Sequence, residues 1–171
     1  EVKPECIQLE ILESSALGDI QTVGRIIREC HEQLGVSIAL DDFGTGYSSL
    51  THLRHLMVNS VKIDQSFVRD MIDDSHDYTI VDGVISLAEA FNRQVIAEGV
   101  ESRMHGEMLL MMGCDLAQGF GIARQMPAAE VPEWIAAYQP DQNWLAAGQQ
   151  KLDRTLHALK LFQFTHQHWL E

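Results

Sequence analysis

Short apolar runs alternate along this chain with stretches that are apolar on one side only. The runs fall at Cys6–Leu9, Val36–Leu40, Val58–Ile63, Gln94–Ala97 and Cys114–Ala117, each of strand length. Between the first two, Ile20, Val23, Ile27, Cys30 and Leu34 recur at intervals of three and four, a continuous stripe on one helix face. Gly35 follows at the position of a C-cap. Further stripes predict helices through Val81, Val84, Ile85, Ala88 and Phe91, through Met104, Met108 and Met111, and through Val131, Trp134, Ile135 and Tyr138. Strands alternating with helices predict an α/β fold on a parallel sheet, doubly wound or closed as a barrel. The even recurrence of short strands and the lack of a GxGxxG or P-loop pattern favour a TIM-like (β/α) barrel.

Polar residues at the ends of the apolar runs strengthen that choice. Glu10 ends the first run, Asp41-Asp42 the second, Lys62 and Asp64 the third, Glu98 the fourth and Gln118 the fifth. On an open sheet these groups spread along an edge, whereas a barrel gathers them at one mouth, its C-terminal face. Five strands do not close an eight-stranded barrel, so the expected barrel is incomplete, its other strands belonging upstream of Glu1. The opening Glu-Val-Lys-Pro-Glu-Cys-Ile runs straight into a strand and reads as a cut inside a domain. Residues 1–138 form the expected barrel domain and 139–171 a linker and C-terminal helix. That helix begins after Gln-Pro-Asp-Gln-Asn and carries Leu145, Leu152, Leu156, Leu159 and Phe162 at near-heptad spacing. It reads either as a link to another module or as an extra helix packed on the barrel.

The 171 residues are enough for one domain with a sizeable core. Lys and Arg number 12 against 25 Asp and Glu, a formal net charge of −13. Such a surface argues against binding a nucleic-acid polymer or contacting an anionic membrane directly. It also means that a phosphate-ester ligand needs metal ions to overcome repulsion. No apolar run approaches the ~20 residues of a membrane span. Three widely spaced cysteines without a CxxC, Cys6, Cys30 and Cys114, read as free thiols of a reducing cytoplasm.

Carboxylates at Glu10, Asp41, Asp42 and Glu98 are hard oxygen donors that suit Mg²⁺ or Mn²⁺. Two adjacent acids are costly unless a positive charge sits between them. A carboxylate such as Asp41 can bridge two metals ~3.5–4 Å apart, a pair that clamps a phosphodiester. Lys62 among these acids would hold charge on a water or a non-bridging phosphate oxygen. Gly44 and Gly46 let the loop after Asp42 fold over the site. No HExxH or paired His–Cys spacing points to zinc, and the eight histidines read as surface or packed side chains. Singly, each acid reads as a solvated loop residue and Lys62 as a surface lysine. Their joint placement at strand ends reads as a site.

The stretches Leu-Glu-Ile-Leu-Glu-Ser (9–14), Leu-Asp-Asp-Phe-Gly-Thr-Gly-Tyr-Ser-Ser-Leu (40–50), Val-Lys-Ile-Asp (61–64), Ala-Glu-Gly-Val-Glu (97–101) and Gln-Gly-Phe (118–120) resemble, in order and spacing, the EAL-type cyclic di-GMP phosphodiesterases. The resemblance covers residues 1 to about 138. It implies a modified TIM barrel that hydrolyses cyclic di-GMP to linear pGpG with two Mg²⁺ or Mn²⁺ ions, in the cytoplasm, as a homodimer. By the same resemblance Glu10 and Asp41 would bind one metal, and Asp41 and Asp42 the other. Glu98 would join in metal binding and act as general base. Lys62 would contact the attacking water or phosphate, with Glu101 and Gln118 in the same polar centre. Asp42 would also meet the substrate, Phe120 would lie near a guanine, and Glu13 would anchor the loop from Phe43 to Ser49, which in this family links the metal site to dimerisation. The family's N-terminal segment, with its Glu-Ala-Leu and a metal-binding asparagine, lies outside these 171 residues. The chain by itself is therefore expected to have impaired catalysis. Leu12 stands where a threonine is usual, and one residue more than usual separates Glu10 from Asp41. A cyclic di-GMP-binding signalling module of weak or no activity, and a noncatalytic interaction domain, stay open beside the enzyme. His166 and Trp169 resemble the opening of a chemoreceptor-type zinc-binding bundle, which would make His166 a zinc ligand; a plain amphipathic helix is the alternative.

Overall fold

Five strands, β1 (Gln8–Leu12), β2 (Ser37–Phe43), β3 (Ser60–Ile63), β4 (Gln94–Ala97) and β5 (Leu116–Ala117), lie side by side in sequence order, all parallel. The structure is a computed structural model and describes residues 2–17, 19–45 and 49–150. A strand order that never reverses has no switch point, which is the winding of a barrel wall rather than of a doubly wound sheet. Helices α1 (Ile20–Glu29), α2 (Ser49–His55), α3 (Gln65–Asp70), α4 (Ser75–Ala90) and α5 (Arg103–Met112) occupy the connections. Helix α6 (Val131–Ala137) and a helical stretch at 142–150 follow the last strand.

Local chemistry starts and stops these helices. Asp19 accepts hydrogen bonds from the N–H groups of Gln21 and Thr22 to cap α1, and Asp64 and Asp74 do the same at α3 and α4 through Ser66 and His76. The expected α1 stripe holds through Ile20, Val23, Ile27 and Cys30, with Ile27 fully buried, but its last member, Leu34, is exposed on the π-type turn Cys30–Leu34 that leads to Gly35. Gly35 adopts φ 71°, the left-handed conformation of a C-cap.

Side chains alternate across each strand. Ile38, Leu40, Val61, Ile63 and Ala97 turn toward the helices and form the core with Ile27, Leu53, Val81, Val84, Ile85, Ala88 and Leu109. Full burial of such a side chain stabilises by roughly 1.5–3 kcal/mol before chain entropy is counted. The other face is polar: Gln8 Nε2 donates to Ser60 Oγ at 3.2 Å across the sheet, and Glu10, Asp41 and Lys62 meet one step further along.

The structure departs from expectation at four points. The first strand is shifted, so Glu10 stands in its middle rather than at its end. No stripe predicts a helix over α2 or α3, which are short and held by packing rather than by a long stripe. The methionine stripe is not the buried face of α5: Met104 and Met111 are exposed, and His105, Gly106 and Leu109 face inward. His105 is held there by a capping box with Ser102 and by a 3.0 Å contact of Nε2 with the Arg69 carbonyl. The fourth is Ile135 of α6, which is exposed, while the Trp134 and Tyr138 rings pack against each other at 4.8 Å.

The start of the C-terminal helix packs on the sheet domain. Trp144 Nε1 donates to the Arg103 carbonyl at 2.8 Å, and its ring lies over Gly106 so closely that a Cβ there would come within 2.3 Å of Nε1. Leu152, Leu156, Leu159, Phe162 and His166 lie outside the described residues.

Candidate active site

The acidic site depends on an irregularity in β2. Ala39 pairs with Ser60, Leu40 with Val61, and Phe43 with Ile63. Asp41 and Asp42 thus stand together opposite the single residue Lys62, a two-against-one bulge. In a regular strand two adjacent residues point to opposite faces. The bulge, with Asp42 at φ 54°, sends both carboxylates to the polar face and restores Phe43 to the helix-side core. A positive φ is uncommon for a non-glycine residue and least costly for Asp and Asn.

Lys62 is the centre of the arrangement. Its Nζ lies 2.9 Å from Glu10 Oε1, 3.1 Å from Asp41 Oδ1 and 2.6 Å from Glu98 Oε1, and its side chain is 7% exposed. Burial pulls the ammonium down; the contacts with Glu98, Glu10 and Asp41 outweigh it and hold the group well above the ordinary lysine range. Glu98, at the end of β4, also accepts a 2.6 Å hydrogen bond from Gln118 Nε2. Burial pushes the Glu98 carboxyl up, against the downward pull of Lys62. Asp42 is raised as well, by burial first, then by the charges of Asp41 and Asp64 and a hydrogen bond with Asp64.

Five carboxylates therefore face one ammonium, and neutralising the excess calls for cations. Carboxylate oxygens of Asp41, Asp42 and Glu98 all lie within 4.8 Å of one another. Asp41 Oδ1 is buried and, although 3.1 Å from Lys62 Nζ, lacks the alignment of a hydrogen bond. An all-oxygen donor set with an incompletely satisfied buried oxygen fits a hard divalent cation.

The loops after β4 and β5 are locked together beside this cluster. Val100 N–H donates to the Gln118 carbonyl at 3.1 Å, and Gly121 N–H to the Val100 carbonyl at 2.8 Å. A Cβ at Gly119 would come within 2.3 Å of the Val100 backbone, so only glycine allows this approach. Phe120, on the same loop, is 55% exposed, with the Arg124 guanidinium 5.1 Å above its ring. Glu101 is exposed on the loop after β4, where its charge acts on Arg69 rather than on Lys62. On the far side, Glu13 is fully buried just beyond β1; its Oε2 accepts the Gly44 N–H at 3.1 Å and its Oε1 lies 3.3 Å from His52 Nδ1.

The structure thus gathers Glu10, Asp41, Asp42, Lys62, Glu98 and Gln118, sets Glu13 beneath the loop that follows, and leaves Glu101 and Phe120 at the rim. Sequence reasoning left Asp64 without a role of its own; it follows β3 directly, caps α3 through Ser66 and raises Asp42 by its charge. His52 carried no signal at all. An apolar cavity of about 430 Å³ lies apart from the acids, lined by Val100, Leu109, Ile122, Tyr138, Trp144 and other residues. Among the described residues no helix is long and apolar enough to cross a membrane, and no disulfide joins Cys6, Cys30 and Cys114.

A parallel, barrel-wound sheet with carboxylates and one lysine at a strand mouth defines the class of site. A model of the EAL domain matches residues 1–125, and the chain belongs to that family. MucR of Pseudomonas aeruginosa, a bifunctional diguanylate cyclase/cyclic di-GMP phosphodiesterase, is 39% identical over 135 residues, 79% of this chain and 20% of MucR. The solved PaMucR phosphodiesterase in complex with c-di-GMP matches with a TM-score of 0.72 at 38% identity, over 76% of this chain and 52% of that one. A manganese/cyclic di-GMP complex of Klebsiella pneumoniae BlrP1 matches with a TM-score of 0.65 at 30% identity, over 72% of this chain and 31% of that one. The chain spans about a fifth of the length of the curated relatives it matches.

Proposed function

We propose that this chain carries the catalytic centre of a phosphodiesterase that hydrolyses cyclic di-GMP to linear pGpG. The observation that carries the reading is the meeting of Glu10, Asp41 and Glu98 on Lys62, with Asp42 beside them, in a member of the EAL domain family. Asp41, Asp42 and Glu98 would hold divalent cations, Mg²⁺ or Mn²⁺, with Glu10 a further oxygen donor across the sheet. When bound, such ions polarise a phosphoryl oxygen and acidify a water.

The chain's own groups supply the rest. Hydrolysis forms a bond from the water oxygen to phosphorus and breaks the bond from phosphorus to the sugar 3′ oxygen. One proton of the water passes to a base, and the 3′ oxygen takes up a proton, returned by that base or drawn from solvent, to leave as a hydroxyl. A Glu98 carboxyl held above its ordinary range is the stronger base once ionised, and Gln118 fixes its direction. Lys62 keeps its proton and offers it to the water or a non-bridging phosphate oxygen, where negative charge grows. The exposed Phe120 ring, with a cation over one face, offers its other face for stacking a guanine.

The test is the parent protein with cyclic di-GMP and Mg²⁺, following pGpG by chromatography. Turnover is expected, and Asp41→Asn should abolish it. Cyclic di-GMP binding in Ca²⁺ without turnover in Mg²⁺ would replace the enzyme by a binding module, and neither binding nor turnover would refute both.

A further inference from the structure

Methionine is concentrated on one helix. Four of the chain's seven methionines, Met104, Met108, Met111 and Met112, fall on α5. Core packing accounts for only part of this, because Met104 and Met111 are 50% and 54% exposed. Met111 and Met112 follow Met108 by three and four residues, so the three side chains share one side of the helix. They line a cavity of about 340 Å³ together with Tyr78 and Asp82, which stand four residues apart on the neighbouring helix α4. Asp82 is exposed, and no ion pair among the described residues includes it.

We infer that this groove is a binding site for a soft monovalent cation, Cu(I), held by the sulfur atoms of Met108, Met111 and Met112, with Asp82 as the countercharge. Thioethers are soft donors that select Cu(I), whereas Mg²⁺ and Mn²⁺ take carboxylate oxygens. The chain thus holds two donor sets of opposite preference: oxygens at Asp41, Asp42 and Glu98, and sulfurs between α4 and α5. Thioethers carry no charge, so three of them leave the charge of the ion unbalanced, and a carboxylate on the facing helix offsets it. A methionine side chain has three rotatable bonds, so the sulfurs can converge on an ion while both helix backbones stay fixed. Met108 and Met112 pack against the core, which holds two of the donors in place. Met111 is exposed, which gives the ion a way in from solvent.

The test is an anaerobic titration of the full chain, labelled with ¹³C at the methionine methyl groups, with Cu(I) kept reduced by ascorbate. Thiolates bind Cu(I) as well, so Cys6 and Cys30 are replaced by Ala; Cys114 is buried. The methyl signals of Met108, Met111 and Met112 should shift together and stop moving at one ion per chain. Met57 is 55% exposed but lies outside the groove, and its signal should not move. With Cys6 and Cys30 present, the same three signals should shift once the thiols are filled. Met111→Leu conserves the volume of an exposed side chain, so it should leave the melting temperature unchanged and lose the one-ion endpoint. Asp82→Asn should require more Cu(I) to move the same signals, and Mg²⁺ should move none of them. A shift at Met57 equal to that at Met111, no shift at all, or an unaltered endpoint in Met111→Leu overturns the inference. None of these readouts depends on cyclic di-GMP turnover.

Discussion

Replacing Lys62 by Met keeps the length of the side chain and removes its charge. In the metal-free protein this leaves Asp41 and Glu98, with side chains 18% and 14% exposed, facing each other without their cation. Glu10 is 48% exposed and is screened by water, so its ion pair adds little. Breaking a buried ion pair by removing one partner costs about 3–5 kcal/mol, and the partial exposure here places the loss near the low end, about 3 kcal/mol. For a chain of this size that lowers the melting temperature by about 6–12 °C. Divalent cations should offset part of this, because they bring positive charge to the same oxygens without a competing ammonium. The stabilisation by saturating Mn²⁺ should therefore be larger in Lys62→Met than in wild type, while turnover in the parent protein falls by about 10²–10³. The assay is calorimetric melting in EDTA and in Mn²⁺, with pGpG formation measured alongside. An unchanged melting temperature in EDTA, or a Mn²⁺ stabilisation no larger than that of wild type, would refute the reasoning.

Two further outcomes follow from the same geometry. Asp42→Asn should raise the melting temperature in EDTA at neutral pH by about 1–3 °C, since it removes a like charge beside Asp41 and Asp64 and suits φ 54° at least as well, yet abolish the stabilisation by Mn²⁺. The sign with pH agrees: Asp42 and Glu98 hold their protons more tightly in the folded chain, so their cost to the metal-free fold is present above the raised values and vanishes in acid. Metal affinity runs the opposite way, weakening as pH falls through the same range, and a Mn²⁺ titration between mildly acidic and neutral pH checks it. Gly106→Ala should drive the Trp144 ring off α5, at a cost of about 1–3 kcal/mol, and tryptophan fluorescence should shift to the red.

The alternation of apolar runs and amphipathic stretches was enough to read the five strands, the long helices α1 and α4, and the barrel winding. These elements are held by burial of whole faces, and burial writes a period into the sequence. The acidic strand ends were legible for the same reason, since polar residues that close apolar runs mark one end of a parallel sheet. Helices α2 and α3 left no such trace: each is under eight residues, and packing of Leu53 and Val68 into the core holds what propensity alone would not. The true inner face of α5 was hidden because a histidine and a glycine occupy it, residues a hydrophobic pattern passes over.

By itself, then, the sequence determined the fold class and most of the chemical inventory of the site: four carboxylates, a lysine and a glycine loop. Only the tertiary structure decided how adjacent acids serve one mouth. Strand geometry sends Asp41 and Asp42 to opposite faces, and a bulge opposite Lys62 overrides it. It alone also set His52 against Glu13, across 39 positions of sequence. Contacts of that kind depend on how separate elements dock, and local periodicity carries no record of docking.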